Sequence, residues 1–253
     1  MHQRIAYVVV LAALFVIALG VLAGPVPRPS FAQAGTIYYV DKTNGNDTNN
    51  GLAWNTAKRN LQSALALAPA GAEIWVAAGT YYPDEGTGES NDDRDATFEL
   101  KDGVAIYGGF AGTETLRIQS DPATNVTILS GDLQQNDTAN FGNSSDNAYH
   151  VVGSFDNAAT ALLSGFTITA GNANGDFPDN LGGGIFIFTG GQAQFTSIVV
   201  GGNQAAALGG GVYNDSGSPS FTDVTISSNR AAALGGGVYN DSGSPSFTDV
   251  TIS

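Results

Sequence analysis

The sequence predicts an all-β protein that winds as a parallel β-helix, a solenoid of short stacked strands. Three observations predict this fold: a repeat of fixed period, a repeat composition of strand and turn residues, and alternation of apolar and polar residues within the repeat. The segment AAALGGGVYNDSGSPSFTDVTIS occurs at 205–227 and again at 231–253, an offset of 26 residues (231 − 205). Fixed periods of about 20–50 residues are typical of solenoids, propellers and repeat arrays.

The composition of the repeat selects the β-helix among these architectures. Val, Ile, Thr, Phe and Tyr form short runs that Gly, Ser, Asn, Asp and Pro interrupt. Val224 and Ile226 alternate with Thr225 and Ser227, which predicts a strand with one buried face. A period of 26 residues is shorter than a propeller blade and suits one coil with two or three short strands. The expected stacked pairs are Phe221 with Phe247, Val224 with Val250, and Ile226 with Ile252.

The repeats begin at about residue 182, where Leu181–Asn203 forms a looser copy of the unit. The three Gly triplets start at 182, 209 and 235. Stacking in register aligns Asn203 with Asn229, and aligned Asn side chains can hydrogen-bond along a stack axis. We therefore expect an asparagine ladder at this position.

The first 34 residues predict a signal peptide. Arg4 provides a weakly basic start, Ile5–Gly24 is continuously apolar, and Ala32–Ala34 fits a small-x-small cleavage site. About 20 apolar residues can also span a bilayer, so an uncleaved anchor is the alternative. Either reading predicts export of the remaining chain.

Residues 35–102 are predicted to form an N-terminal cap with the first strands, and residues 103–253 the β-helix coils. Strands are expected at Ile37–Val40 and Ile74–Ala77, with an amphipathic helix at about Thr56–Ala68 between them. This helix is expected to cover the open end of the core. Because the final coil is incomplete at Ser253, we expect the chain to continue as a longer repeat protein.

Two motifs resemble known families. The segments YYVDKTNGNDTNNG and VAAGTY resemble the opening of exported bacterial proteins of the pectate-lyase-like superfamily, in which a capping helix separates such segments. That resemblance implies a right-handed parallel β-helix. GGGIF and GGGVY are similar to the GG[AG]-apolar motif of polymorphic outer membrane protein repeats, although their F-x-x-N reads VGGN and ISSN here. The two resemblances cover about residues 36–253 and imply the fold more than any activity, because β-helices carry many functions.

Charge and cysteine content restrict the partners. The whole chain has a net charge of −14, and removing residues 1–34 with Arg4 and Arg28 lowers it to −16. Such a surface repels nucleic acid and anionic lipid. Because the chain has no cysteine, an exported form must rely on packing and backbone hydrogen bonds.

The resemblance to polysaccharide lyases directs attention to basic residues. Lyases on this fold abstract a proton beside a uronate carboxylate, using a Lys or Arg base and often Ca²⁺. Arg230 is the one basic residue in the repeats, and its equivalent one coil earlier is Gln204. We interpret Arg230 as a turn residue without a catalytic role.

Glycoside hydrolysis requires two carboxyl groups roughly 5–10 Å apart. Stacking would place Asp223 beside Asp249, and Asp215 beside Asp241, about 4.8 Å apart. We interpret these residues as solvated turn acids, because repetition produces such pairs automatically. His150 is the one histidine after residue 34, and we interpret it as a packed or surface residue.

The acid-rich loop ESNDDRDAT provides the candidate metal ligands Asp92, Asp93 and Asp95. Calcium takes 6–8 oxygen ligands from loops of this type. The loop lacks EF-hand spacing, and the alternative interpretation is a flexible loop that binds no metal. We expect no cofactor apart from calcium at these candidate ligands.

These observations predict a secreted or cell-surface protein, a structural, adhesin-like stalk that binds surface or glycan ligands. Its expected partners are a polysaccharide or a cell-surface ligand, without nucleic acid. Membrane attachment would occur through an uncleaved N-terminal segment or a C-terminal anchor beyond residue 253, such as an outer-membrane barrel. The alternative is a carbohydrate-active lyase, hydrolase or epimerase whose site lies between Asp84 and Asp179, or beyond Ser253.

Overall fold

The computed structural model describes residues 35–253, so the predicted signal peptide lies outside the described residues. The described chain is mostly β-structure with one short α-helix, α1 (Leu61–Leu65), and 3-10 turns at Trp54–Thr56, Arg117–Gln119 and Ser144–Asp146. None of the helices in this part of the chain is long and apolar enough to cross a membrane. The strands are β1 (Ile37–Val40), β2 (Glu73–Ala77), β3 (Gly79–Tyr81), β4 (Phe98–Glu99), β5 (Ala105–Phe110), β6 (Thr127–Ser130), β7 (Val152–Phe155), β8 (Leu162–Ser164), β9 (Thr167–Thr169), β10 (Asn172–Ala173), β11 (Ile185–Phe188), β12 (Gln194–Gly201), β13 (Gln204–Ala205), β14 (Val212–Asp215), β15 (Ser220–Ser227), β16 (Arg230–Ala231), β17 (Val238–Asp241) and β18 (Ser246–Ile252).

The strands form three sheets in which neighbouring strands run parallel. Sheet 1 contains ten strands, β1, β2, β3, β5, β6, β8, β9, β12, β15 and β18. Sheet 2 has the order β4-β7-β11-β14-β17, and sheet 3 has the order β10-β13-β16. The fold is therefore all-β with parallel strands, and this part of the predicted fold class is confirmed.

Each repeat unit contributes one strand to each sheet, in the same order. The chain passes from β13 to β14 to β15, and then from β16 to β17 to β18. Each strand pairs with its equivalent 26 residues later, so that Phe221 faces Phe247 and Val224 faces Val250. The predicted register of the repeats is confirmed.

A left-handed residue bends the long strands of sheet 1. Ser197, Asp223 and Asp249 have φ values of 50°, 56° and 54° at the same point of β12, β15 and β18. Strict alternation would not bury both Phe221 and Val224, which lie three residues apart. The left-handed residue between them shifts the alternation of side chains by one position. Phe221 and Val224 therefore both face the core, and both are buried.

The main core lies between the sheets and consists of stacked apolar side chains. The rings of Phe195, Phe221 and Phe247 stack in succession, with centroids 4.9 and 5.2 Å apart. Val224 and Ile226 continue the same core in the second half of β15. Each unit thus buries its apolar face against the next unit.

A buried asparagine ladder follows β12 and β15. Asn203 is 0% exposed, its Oδ1 accepts from the Gly171 N–H at 2.9 Å, and its Nδ2 donates to the Ile168 carbonyl at 3.0 Å. Its Nδ2 also lies 3.0 Å from Asn229 Oδ1, as the stacked register predicted. The amide side chains therefore satisfy backbone groups at a corner where the sheet hydrogen bonds are interrupted.

The predicted helix at Thr56–Ala68 is shorter in the structure. Lys58 exchanges backbone hydrogen bonds with Tyr39 and Asp41 on either side of Val40, so this part of the chain is extended. The Asp47 carboxylate accepts hydrogen bonds from the backbone N–H groups of Arg59 and Asn60, and α1 starts only at Leu61. Tertiary pairing thus overrides the helical pattern in the first half of the segment. The apolar stripe itself is buried as predicted, at Leu61, Ala64, Leu65 and Ala68.

Replacing Asn203 by Ala tests the ladder. Asn203→Ala leaves the Gly171 N–H and the Ile168 carbonyl without their buried partner, and each orphaned group costs roughly 1–3 kcal/mol. We expect the free energy of unfolding to fall by about 2–4 kcal/mol in denaturant titrations. Asn240→Ala is the control, because Asn240 is exposed and should cost less than about 1 kcal/mol. Equal losses in the two variants would contradict this role of the ladder.

Candidate functional site

The loop of residues 132–147, between β6 and β7, interrupts the regular stack. We call it the corner loop. It borders the left-handed residues Ala170, Gly202 and Ser228, which occupy equivalent corners in three successive turns of chain. One cleft opens on each side of the corner loop.

The acidic cleft lies on the side of these corner residues and has a volume of about 500 Å³. The corner loop contributes two carboxylates, a hydroxyl and an aromatic ring. The opposite wall consists of hydroxyl-bearing and small residues from the strand ends. The main lining residues are Asp132, Asp137, Thr138, Phe141, Thr169 and Ser228.

The two carboxylates of the acidic cleft have different environments. Asp132 accepts from the backbone N–H groups of Asn136 and Asp137, at 2.9 and 3.2 Å, and so holds the start of the loop. Asp137 Oδ2 accepts from Asn147 Nδ2 at 2.8 Å, while its buried Oδ1 has no hydrogen-bond partner within residues 35–253. Burial raises the pKa of Asp137, the hydrogen bond from Asn147 partly offsets this rise, and the nearby Asp132 and Asp146 raise the pKa further. A carboxyl group that keeps its proton more readily is suited to donate one.

The polar cleft lies on the other side of the corner loop and has a volume of about 330 Å³. Asn172, Gln204 and Arg230 occupy the same register on the three strands of sheet 3. Ser144 joins the loop to this sheet, because its Oγ accepts from Gln204 Nε2 and its carbonyl from Asn172 Nδ2, both at 2.6 Å. Amides, hydroxyls and one guanidinium therefore line this cleft.

The predicted calcium ligands lie in a different loop, between β3 and β4. Asp92, Asp93 and Asp95 are exposed, and Asp93 Oδ1 accepts from the backbone N–H of Asp95 at 3.0 Å. Asp93 and Asp95 line a third cleft of about 420 Å³ with Glu89. Within residues 35–253, no three His, Cys, Asp or Glu side chains are grouped closely enough to hold a metal ion. Calcium binding by this loop stays a prediction.

The stacked aspartates of the repeats lie in strands and not in the predicted turns. Asp223 and Asp249 are exposed at the bends of β15 and β18, and Asp223 Oδ2 accepts from Ser197 Oγ at 2.8 Å. Asp215 and Asp241 face each other at the ends of β14 and β17. Neither pair lines the acidic cleft or the polar cleft.

His150 is buried beneath the loop that carries Asp179. Its Nδ1 lies 3.0 Å from the Gly182 carbonyl, its Nε2 lies 3.6 Å from Asp179 Oδ1, and its ring stacks on Phe186 with centroids 4.3 Å apart. Burial lowers the pKa of His150, and this outweighs the opposing effects of Gly182 and Asp179. The structure thus places His150 as a packed, neutral ring.

Asp132 and Asp137 are not among the site residues predicted from the sequence. Both belong to a stretch without a counterpart in the 26-residue units. The absence of a repeat in this stretch was the one sequence feature that could have indicated a distinct site. Their cleft forms only because the corner loop reaches Gly202 and Ser228, which are more than 50 residues away in sequence.

Comparisons with known proteins identify few similarities. No family model and no curated protein matches the chain. A solved structure described as "Rhamnogalacturonan lyase" is similar with a TM-score of 0.35 and 14% sequence identity. The similarity covers 86% of this chain and 51% of that chain, so this chain spans about half of its length. A TM-score this low does not establish a shared fold or activity.

The pH dependence of stability tests the burial of His150. The unfolded chain binds a proton near pH 6.5, and the folded chain only at lower pH, because the pKa of His150 is lowered on folding. Stability from neutral His150 is therefore complete above about pH 6.5 and is lost as the pH falls through the folded pKa. We expect the denaturation midpoint to fall between pH 7 and pH 5, and to fall less in His150→Phe, which keeps a stacked ring. Identical pH profiles for the two proteins would refute this assignment.

Proposed function

We propose that this chain is an exported right-handed parallel β-helix that serves as a structural, adhesin-like stalk at the cell surface. In this proposal, the clefts beside the corner loop bind a glycan or another surface ligand. This proposal rests on the contrast between the near-identical stacked units and the one inserted loop, which opens two clefts.

Near-identical units are suited to a shaft. Residues 205–227 and 231–253 are identical, so each step along the stack presents the same side chains. An added unit extends such a stack and buries one more apolar face, without creating a new arrangement of functional groups. The repetition of one surface along the stack supports a stalk more than a catalyst.

The chemistry of the clefts suits a saccharide. Sugar hydroxyls donate and accept hydrogen bonds, and the clefts present carboxylates, amides and hydroxyls that can pair with them. Their volumes, about 330 and 500 Å³, lie within the usual range for small-ligand sites. Phe141 adds one apolar surface to the acidic cleft.

The compartment and the partners are part of the proposal. Export is supported by the sequence of residues 1–34, whose apolar run and small-x-small site are typical of a signal peptide. The ligand would be a polysaccharide or a cell-surface molecule rather than a nucleic acid. Calcium bound by the loop of Asp92, Asp93 and Asp95 would stabilise that loop without catalytic chemistry.

A carbohydrate-active enzyme is the second candidate function. The supporting observation is that Asp132 and Asp137 line one cleft while their environments differ, with a raised pKa for Asp137. Hydrolases use two carboxyl groups in one cleft, one of which keeps its proton because of its environment. Both carboxylates belong to the stretch between Asp84 and Asp179, in which the sequence predicts the site of such an enzyme.

Blocking the clefts tests the proposed binding site. Thr138→Trp fills the acidic cleft and Ser145→Trp fills the polar cleft, and both residues are exposed at the surface. On a glycan array, we expect at least one variant to bind about ten-fold more weakly than the parent protein. The matched control is Thr222→Trp, which adds the same side chain to an exposed position on the shaft and should bind normally.

The same glycans separate the two functions. Binding without release of new sugar ends supports the stalk. Turnover that Asp137→Asn abolishes while binding persists would establish the enzyme instead. Unchanged binding by both cleft variants would refute the proposed site.

A further inference from the structure

The last two repeat units differ at only two positions. Aligning residues 202–227 with residues 228–253 leaves 24 of 26 positions identical, and the exceptions are Gly202 with Ser228 and Gln204 with Arg230. The first pair lines the acidic cleft and the second pair lines the polar cleft. The sequence differences between the units thus coincide with the clefts of the corner loop.

In the earlier unit, space for a side chain is limited at Gly202, and Gln204 binds the corner loop. Gly202 has a φ of +73°, and a Cβ built there would lie 3.0 Å from Thr169 Oγ1. Gln204 donates from Nε2 to Ser144 Oγ in the corner loop at 2.6 Å. Gln204 is therefore engaged in a structural contact.

Arg230 takes the same register position one step further along sheet 3. Its side chain is exposed, lines the polar cleft and makes no ion pair or hydrogen bond with the part of the chain that the structure describes. Five of the seven basic side chains in residues 35–253 have such partners. These are Lys42 with Glu85, Lys58 with the Asp47 carbonyl, Arg94 with the Asn147 carbonyl, Lys101 with the Leu65 carbonyl and Arg117 with Glu73. The other unengaged cation, Arg59, lines neither cleft of the corner loop.

The polar cleft also differs from its neighbours in charge. Its lining has no carboxylate, whereas Asp132 and Asp137 line the acidic cleft, and four acidic residues line the third cleft. The chain of residues 35–253 has 23 acidic and 7 basic residues, so a cleft with a guanidinium and no acid is a local exception. Such a cleft attracts an anion where most of the surface repels one.

We propose that the polar cleft is a subsite for an anionic substituent, a carboxylate or a sulfate ester, on the glycan ligand. This inference rests on the proposed glycan binding and adds the charge class of the ligand. Arg230 would supply the planar pair of N–H donors that matches a carboxylate or sulfate. Asn174 and Ser145 line the same cleft and provide further donors beside it.

Three polymers with one backbone test the proposal: dextran, carboxymethyl-dextran and dextran sulfate. The decisive variant is Arg230→Gln, because the preceding unit already carries Gln at this position and the fold tolerates it. Arg59→Gln is the matched control, since it removes the same charge from an exposed site outside the cleft. Binding is measured by calorimetry at low and moderate salt on the full exported chain.

We expect the protein to bind at least one of the two charged polymers in preference to dextran. Arg230→Gln should weaken that binding about ten-fold, and Arg59→Gln should leave it within about two-fold. The polymer that is preferred identifies the substituent as carboxylate or sulfate.

Three results would overturn the anion subsite. Equal losses in Arg230→Gln and Arg59→Gln would indicate non-specific attraction. Equal binding of dextran and the charged polymers would remove the anion subsite but leave glycan binding intact. Binding of none of the three polymers would also remove it, and the glycan array with the cleft variants would then decide the proposed function separately.

Discussion

In-register parallel stacking is the constraint on which the rest of the structure depends. A residue in one unit lies directly against its equivalent in the next, so each position must tolerate a copy of itself. Phenylalanine satisfies this condition by ring stacking at Phe195, Phe221 and Phe247. Asparagine satisfies it at a buried corner, because one amide can donate to a backbone carbonyl and to the next amide while accepting a backbone N–H.

The same constraint determines where a distinctive site can form. Identical units present the same side chain at each equivalent position. Different functional groups therefore come together where an inserted loop meets the stack. The corner loop brings Asp132 and Asp137 to one side and Ser144 to the other, and it is tied to sheet 3 through Gln204. The strand ends form one wall of each cleft, and the corner loop forms the other.

Stacking also explains what the sequence could and could not predict. The repeat period predicted the register of β15 with β18 and the contact between Asn203 and Asn229, because both follow from aligning equivalent residues. The shortened helix α1 and the acidic cleft depend on the approach of distant parts of the chain, which leaves no periodic trace in the sequence. Asp132 and Ser228, for example, line one cleft although they are far apart in sequence. The bend at Asp223 was visible only as two successive polar residues, Thr222 and Asp223, in an otherwise alternating strand.

Disulfide trapping measures the stacking register most directly, because the natural chain has no cysteine to interfere. Thr222 faces Thr248 on adjacent parallel strands, and both residues are exposed. Cysteines at these two positions fall within bridging distance, whereas cysteines at Thr222 and Thr251 lie out of register. In-register stacking predicts rapid oxidation of the first pair and none of the second, measured by intact mass. Equal cross-linking of the two pairs, or of neither, would contradict in-register stacking.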